Sequence, residues 1–257
     1  MEVLVCVKRV PATAGRITLT EDQQSIDTKF LGFTVSPHEE CAVEEAVRLV
    51  EAHGGSSTVL TLGPEVATEQ LRAAIAMGVD RAILLEIGDD EWDPMATAAA
   101  ILDAVQAEQE VGRGFDVLLF GNEAADTGDY QVGVRVADAL GLPCVTGIKR
   151  LEVSDGTATV RRESASGGWE IFEVALPAVF TVKEGINLPR YPSVPGRMRA
   201  KKKEIERIEP TRRPGGLERV RLKLPPEQGG EVEILGSGPE ATAAVVKILQ
   251  QLGVVER

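Results

Sequence analysis

The stretch STVLTLGPEVATEQLRAAIAMGVDRAILLEI, residues 57–87, decides the fold class. STVLTLG reads as a strand, residues 65–77 as a helix, and RAILLEI as a second strand. Two strands joined through a helix imply a right-handed crossover, and with it parallel neighbours in one sheet. The alternation continues in both directions. Residues 94–110 read as a helix, DVLLFG as a strand and 129–140 as a helix. On the N-terminal side, EVLVCV at 2–7 fits a buried strand and RITLT at 16–20 alternates like a half-exposed one.

SPHEECAVEEAVRLVEAHGG, from Ser36, carries both end signals of a helix. Ser36 can cap, Pro37 suits the first turn, Glu39 completes a capping box, and Gly54 and Gly55 provide the stop beside His53. Ala42, Ala46, Leu49 and Val50 form its apolar stripe, with Glu44, Glu45, Arg48 and Glu51 elsewhere on the wheel. After PCVTGIKRLEV the rhythm changes: TATVRRES, GWEIFEVAL and AVFTV are strands with short links, which adds an antiparallel portion. SASGGW at 164–169 is similar to the glycine-rich loop of ATP pyrophosphatases, but it lacks the following aspartate and reads as a hairpin turn. The class is therefore α/β, a doubly wound and mostly parallel sheet.

Residues 189–206, PRYPSVPGRMRAKKKEIE, interrupt this order. Pro189, Pro192 and Pro195 each fix φ and remove a donor, so a loop is expected. It carries Tyr191, Val194 and Met198 beside Arg190, Arg197, Arg199 and Lys201 to Lys203, an unusual load for a passive connection. Residues 207–236 mix Pro, Gly and charge without a period, as an extended arm would, and a helix over 239–252 closes the chain. The expected division is 1–185, a nucleotide-binding domain; 186–206, a loop within it; and 207–257, an arm and helix.

At 257 residues and 43% hydrophobic, the chain can build a core without staples. A net charge of -12 disfavours a general nucleic-acid or membrane-surface role. The 3 cysteines are isolated and no C-x-x-C occurs, and no signal peptide or membrane-length apolar run is present, so a cytoplasmic protein is expected.

Ligands of an open parallel sheet collect at the carboxyl ends of its strands. The most informative such end is LLFGNEAADTGDYQVG, where Gly121 ends a strand and Gly128, Asp129 and Gly133 flank a helix start whose free amides could hold a phosphate; an ordinary strand-to-helix turn is the alternative. G-x-G-x-x-G after a strand and G-x-x-x-x-G-K-[ST] are both missing. Only His38 and His53 exist, neither in a hydrolase or zinc motif, and Cys6 suits a core position better than a nucleophile's. Nucleotide binding without acid–base machinery is expected, with no catalytic residue and no metal.

VLVCVKRVPAT, HEECAVEEAVRLVE, AMGVDRAILLE, DVLLFGNEAADTGDYQVG and GINLPRYPSVPGRMRAKKKEIE resemble, in register over residues 1–206, the β subunit of electron transfer flavoproteins. The resemblance implies an adenine-nucleotide α-hydrolase-like fold and a heterodimer whose α subunit holds most of the FAD. AMP would sit structurally in this chain. The implied AMP residues are Cys6, Ser36, Pro37, His38, Glu39, Leu62, Gly121, Asn122, Glu123, Ala124, Asp126, Asp129, Gln131, Val132 and Gly133. Ser36, His38 and Leu62 stand where some relatives have Asn, an aromatic residue and Cys, and Tyr130 replaces a smaller polar residue. Thr13 lies where relatives often place an aromatic side chain near the flavin. The 189–203 loop would dock dehydrogenases through Arg190, Tyr191, Val194, Pro195, Arg199 and Lys202, with Val194 in the place of an anchoring leucine.

The function so implied is electron carriage from dehydrogenases, such as those acting on acyl-CoA, to a membrane quinone reductase, with the arm packed on the α subunit. A bifurcating relative with a second FAD in place of AMP, a free-standing adenine-nucleotide sensor and an ATP-cleaving enzyme are the alternatives. The long arm and basic loop argue against the sensor, and the missing phosphate loops against the enzyme.

Overall fold

The unit around residues 57–87 forms as its sequence implies: strand Ser56–Gly63, one 3-10 turn at Glu65–Ala67, helix Thr68–Met77 and strand Arg81–Glu86, the two strands parallel with Thr58 opposite Arg81. The structure is a computed structural model that describes residues 1–12, 17–88, 91–213, 215–216, 218–226 and 233–255. The strands are β1 (Glu2–Cys6), β2 (Val10–Pro11), β3 (Phe33–Thr34), β4 (Ser56–Gly63), β5 (Arg81–Glu86), β6 (Val117–Gly121), β7 (Cys144–Ser154), β8 (Thr157–Glu163), β9 (Trp169–Ala175), β10 (Ala178–Val182) and β11 (Glu206–Ile208). The helices are α1 (Pro37–His53), α2 (Thr68–Met77), α3 (Pro94–Glu110), α4 (Val132–Leu140), α5 (Val194–Lys202) and α6 (Thr242–Gln251).

Nine strands form one sheet in the order β11-β5-β4-β1-β6-β10-β7-β8-β9. Pairings are parallel from β11 through β7, and β7-β8-β9 is antiparallel. Because side chains alternate along a strand, β1 sends Val3 and Val5 to one face and Leu4 and Cys6 to the other. The first pair packs with Val43, Ala46 and Val47 of α1 and with Leu71 and Ile75 of α2. The second packs with Ile101 and Val105 of α3 and Val136 of α4. Helices thus cover both faces of a sheet whose central strands are buried on both sides, as a doubly wound fold requires.

The start of α1 follows its sequence signals closely. Ser36 accepts a hydrogen bond from Glu39 N at 3.2 Å and Glu39 Oε2 accepts one from Ser36 N at 2.9 Å, a complete capping box. The other end stops at Gly54, whose φ of 71° suits glycine.

Five expectations need correction. RITLT is no strand: among its described residues only Leu19 pairs, in an isolated bridge with Ile26, because residues 20–25 turn the chain back through Thr20 and Asp22. The helix expected from 129 begins at Val132, the loop before it being closed by Ala124 N on Asp129 O at 2.9 Å. Residues 189–206 are not all loop. Ser193 accepts from Gly196 N at 3.1 Å and starts α5, with Pro195 in the first turn, where a missing N–H costs nothing. The arm does not begin at 207, since β11 adds a parallel edge strand beside β5. Its position is held by Arg81 on Glu206 (3.2 Å) and Arg207 on Glu86 (3.1 Å). Glu44 and Glu45 are buried, because Asn187 and Arg190 reach over to them.

The chain divides into two compact units, Met1–Arg221 and Leu222–Arg257, so the boundary falls later than residue 206. In the second, one 3-10 turn at Pro239–Ala241 leads into α6, and none of the described residues is buried. Among the described residues no helix is long and apolar enough to cross a membrane.

Candidate functional site

The strand order reverses beside β1. Its connection leads to α1 on one face, whereas that of the adjacent β6 leads to α4 on the other, which opens a crevice at their carboxyl ends. Cys6 and Phe120, each one residue from its strand end or at it, are direct partners, and Cys6 also pairs with Leu60 of β4. Glu39 projects from the start of α1 into this junction. Its Oε1 accepts from Lys8 N at 2.7 Å, and a Cβ added to Gly121 would lie 2.7 Å from its Cγ. Glycine at 121 is thus required by the approach of the Glu39 side chain.

Burial pushes the Glu39 carboxyl up to about 7, against the backbone N–H groups of Ser36 and Lys8 that favour its ionised form. A carboxyl whose pKa is raised on folding from an ordinary 4.5 binds a proton as the chain folds. Its contribution to stability is therefore greatest below that value and declines as pH rises toward about 7. Burial raises Glu45 as well, with the same sign. The urea midpoint should fall between about pH 5 and about pH 8, and Glu39→Gln should flatten that decline; identical slopes in the two proteins would contradict the assignment.

The 121–133 loop is fastened from three sides. Asn122 N donates to Val182 O at 3.0 Å, and Asn122 Oδ1 accepts from Thr181 Oγ1 at 3.1 Å. Thr181 in turn accepts from Gly147 N at 2.8 Å. Lys8 Nζ bonds Asp126 at 2.9 Å, and Glu91 lies 3.5 Å from the same amine. Glu123 takes the Tyr130 hydroxyl and lies 3.7 Å from His38 Nε2, while His38 Nδ1 accepts from Glu184 N at 2.7 Å. Asp129 accepts from Gln131 Nε2 at 3.3 Å. Most loop carboxylates are thus engaged within the protein. The first turn of α4 has no side-chain cap, and its backbone amides remain to receive an acceptor. Gly133 fits closely: a Cβ there would stand 3.1 Å from Phe120 and Thr181.

The residues expected around a nucleotide are therefore largely brought together. Cys6, Ser36, His38, Glu39, Gly121, Asn122 and Glu123 meet at the β1–β6 end, with Ala124, Asp126, Asp129, Gln131, Val132 and Gly133 in the overlying loop and helix start, and Pro37 in the first turn of α1. Leu62 stands at the end of β4, partly buried against the α3 side. Cys6 is buried, which drives its thiol pKa far up and suits it to wall rather than nucleophile. Thr13 lies outside the described residues. Lys8, Gly147, Thr181 and Glu184 were not anticipated. Lys8 stands in CVKRVP, a strand end that the sequence does mark, whereas the other three come from β7, β10 and the turn after it, which no local pattern connects to the loop.

The basic segment lies apart, along α1 and α2. Asn187 Nδ2 donates to Cys41 O at 2.9 Å and to Glu45 at 2.8 Å. α5 turns its small residues to α2: a Cβ on Gly196 would sit 2.4 Å from Ala76 O, and Ala200 is buried. The Arg72 guanidinium donates to the carbonyls of Ala200 and Lys203 and so closes the far end of α5. Outward from this mount stand Tyr191, 84% exposed, and Val194, 74% exposed, with Arg197 over the Tyr191 ring at 5.0 Å. Pro195, Arg199 and Lys202 belong to the same short helix. Arg190 does not stand outward with them; its guanidinium is spent on Glu44 and Glu51. A depression of about 490 Å³ lies under this segment, lined by Val47, Ser57, Gly78, Asp80, Arg190 and Arg199. It faces the amino ends of the strands, so it is the seam beneath α5 and not the crevice.

Residues 26–212 match the family described as electron transfer flavoprotein domain. The chain is 39% identical over 210 residues to the electron transfer flavoprotein subunit beta of Bacillus subtilis, covering 81% of this chain and 79% of that protein. It is 36% identical over 235 residues to the protein of the same name from Syntrophomonas wolfei, covering 91% and 90%. With the electron transfer flavoprotein subunit beta, mitochondrial, of Oryza sativa subsp. indica it shares 35% identity over 213 residues, 82% of each.

Proposed function

Because this chain belongs to the electron transfer flavoprotein family, and to its β subunits, we propose that it is half of a heterodimer carrying electrons from dehydrogenases, such as those acting on acyl-CoA, to a membrane quinone reductase. The partner chain, an α subunit, holds most of an FAD, and this chain supports it. When bound, the flavin supplies the redox chemistry; the protein's part is to hold it, admit partners and let them go.

The observation that carries this reading is the exposed Tyr191–Val194 span fixed at both ends to α1 and α2. An apolar side chain on a rigid mount loses little conformational entropy on docking, and small, brief contacts suit redox partners. Arg197, Arg199 and Lys201 to Lys203 give an otherwise acidic protein a local basic rim, which favours fast encounter with acidic surfaces. In the crevice, AMP is held without turnover. Backbone amides of Val132 and Gly133 receive its phosphate, and Ser36 to Glu39, Cys6 and Leu62 surround the nucleoside. Lys8 on Asp126 offsets one of the carboxylate charges of this loop and so lowers the repulsion a phosphate would meet there.

Val194→Ala tests the docking role. Removing two methyl groups from a desolvated anchor costs about 1–2 kcal/mol, roughly 5–30-fold in transfer rate at sub-saturating acyl-CoA dehydrogenase, with flavin content unchanged. Unaltered transfer kinetics in stopped-flow reduction would remove the anchor.

A further inference from the structure

Arg190, in the proline-rich segment, faces inward. Its backbone N–H donates to Glu44 Oε2 at 3.0 Å and its Nε to the same oxygen at 2.9 Å, while Nη2 reaches Glu44 Oε1 at 3.1 Å. Glu51, two turns further along α1, takes Nη1 at 2.6 Å and Nη2 at 2.9 Å. One guanidinium thus joins two carboxylates of one helix. Glu44 is only 4% exposed, so its ion pair is shielded from water, and the bonds from Arg190 lower the Glu51 pKa.

This joint has a definite place in the segment. Upstream, Asn187 is pinned to Cys41 O and Glu45. Downstream, Ser193 caps α5, which Gly196, Ala200 and Arg72 fasten to α2. Between the Arg190 joint and the Ser193 cap remain Tyr191 and Pro192, and Val194 follows at once. With the joint intact, the conformations open to Tyr191 and Val194 are few. With it broken, the segment gains freedom as far as the cap, and each encounter must then order it again.

We propose that Glu44 and Glu51 are positioning residues for electron delivery: through Arg190 they hold the docking span in its partner-ready shape, and none of the three touches the partner. The proposal rests on the docking role of this segment. It assigns a function to the two acids of α1 and turns Arg190 from a contact residue into a mount.

The test is a double-mutant cycle on the flavin-loaded heterodimer, reduced by an acyl-CoA dehydrogenase charged with its substrate, with Glu44→Gln, Arg190→Gln, the pair together, Glu51→Gln, both glutamates replaced together and all three replaced. Glu44→Gln and Arg190→Gln should each raise the dehydrogenase concentration for half-maximal rate by about tenfold. The limiting rate at saturation and the flavin content should not change. The double variant should be no weaker than Arg190→Gln alone. If Arg190→Gln weakens docking further once Glu44 and Glu51 are both already Gln, Arg190 contacts the partner itself and the proposal fails. Unchanged half-saturation in both single variants overturns it too. If Glu44→Gln lowers flavin content or folds poorly, Glu51→Gln decides the matter, since that carboxylate is exposed and its loss leaves no buried charge: raised half-saturation supports the mount and an unchanged value rejects it. Val194→Ala, measured in the same series, separates the two failures, because a segment with no docking role leaves that variant unaffected as well.

Discussion

Gly196→Val should raise the half-saturating concentration of a dehydrogenase partner by about 30–100-fold, while the heterodimer keeps its flavin. The effect follows from a backbone contact. A Cβ at 196 would lie 2.4 Å from Ala76 O, at the end of α2, where neither atom can swing aside as a side chain would. Valine adds two further methyl groups at the same place. Over-packing of this kind costs about 1–3 kcal/mol where the structure can yield, and here the yielding part is α5, a short helix held by a small-residue face and by Arg72. Once α5 lifts, the Ala200 and Lys203 carbonyls leave Arg72 and Val194 leaves its place. Because the crevice is built from other elements, flavin and adenylate content are unaffected. Normal docking in this variant would mean that the mount of α5 has no part in recognition.

The second large effect belongs to the crevice. Gly121→Val should weaken AMP binding by about a hundredfold or more and lower the melting temperature by several degrees. The added Cβ meets Glu39 Cγ at 2.7 Å, so the carboxylate has to turn away from Ser36 N and Lys8 N. Two backbone donors at the head of α1 and the end of β1 then lose their acceptor, at about 1–3 kcal/mol each where they stay dry. Gly32→Ala serves as the control, since nothing lies within 4 Å of the added carbon there. Nucleotide quantified by mass spectrometry after denaturation, beside a thermal melt, reads both effects. Full AMP occupancy in Gly121→Val would show that the ligand does not depend on this junction.

The regular part of the fold was legible because each element carries its own signals. Ser36, Glu39 and Gly54 mark the ends of α1 locally, and the apolar strands around it alternate with helices in a way only a crossover fold satisfies. What the sequence concealed depends on distant residues. Three prolines in PRYPSVP imply a loop, yet Pro195 lies in the first turn of α5, and whether a helix forms there is decided by the fit of Gly196 and Ala200 on α2. Glu44 and Glu45 look like solvent positions on a helical wheel. They are buried because residues 187–190 bring an amide and a guanidinium to them, some 140 positions away in the chain. β11 is three residues long and charged, too short to show periodicity, and the edge of β5 recruits it.

The candidate crevice was readable as a list of residues and not as a network. Cys6 and Gly121 converge as the strand-end rule implies, and Glu39, placed there by the resemblance, joins them from α1. The supports that hold the loop, Thr181, Gly147 and the Glu184 amide on His38, come from strands whose order in the sheet differs from their order in the sequence. Sequence proximity could not have found them. The resemblance places Arg190 among the residues that face a partner, but two acids of α1 claim its guanidinium.

The central claim is tested most directly by co-expressing this chain with an α subunit of the family and counting the cofactors in the purified complex. A yellow heterodimer with one FAD and one AMP is the expected result. A colourless chain that stays alone would contradict the account, and two flavins with no AMP would contradict its reading of the crevice.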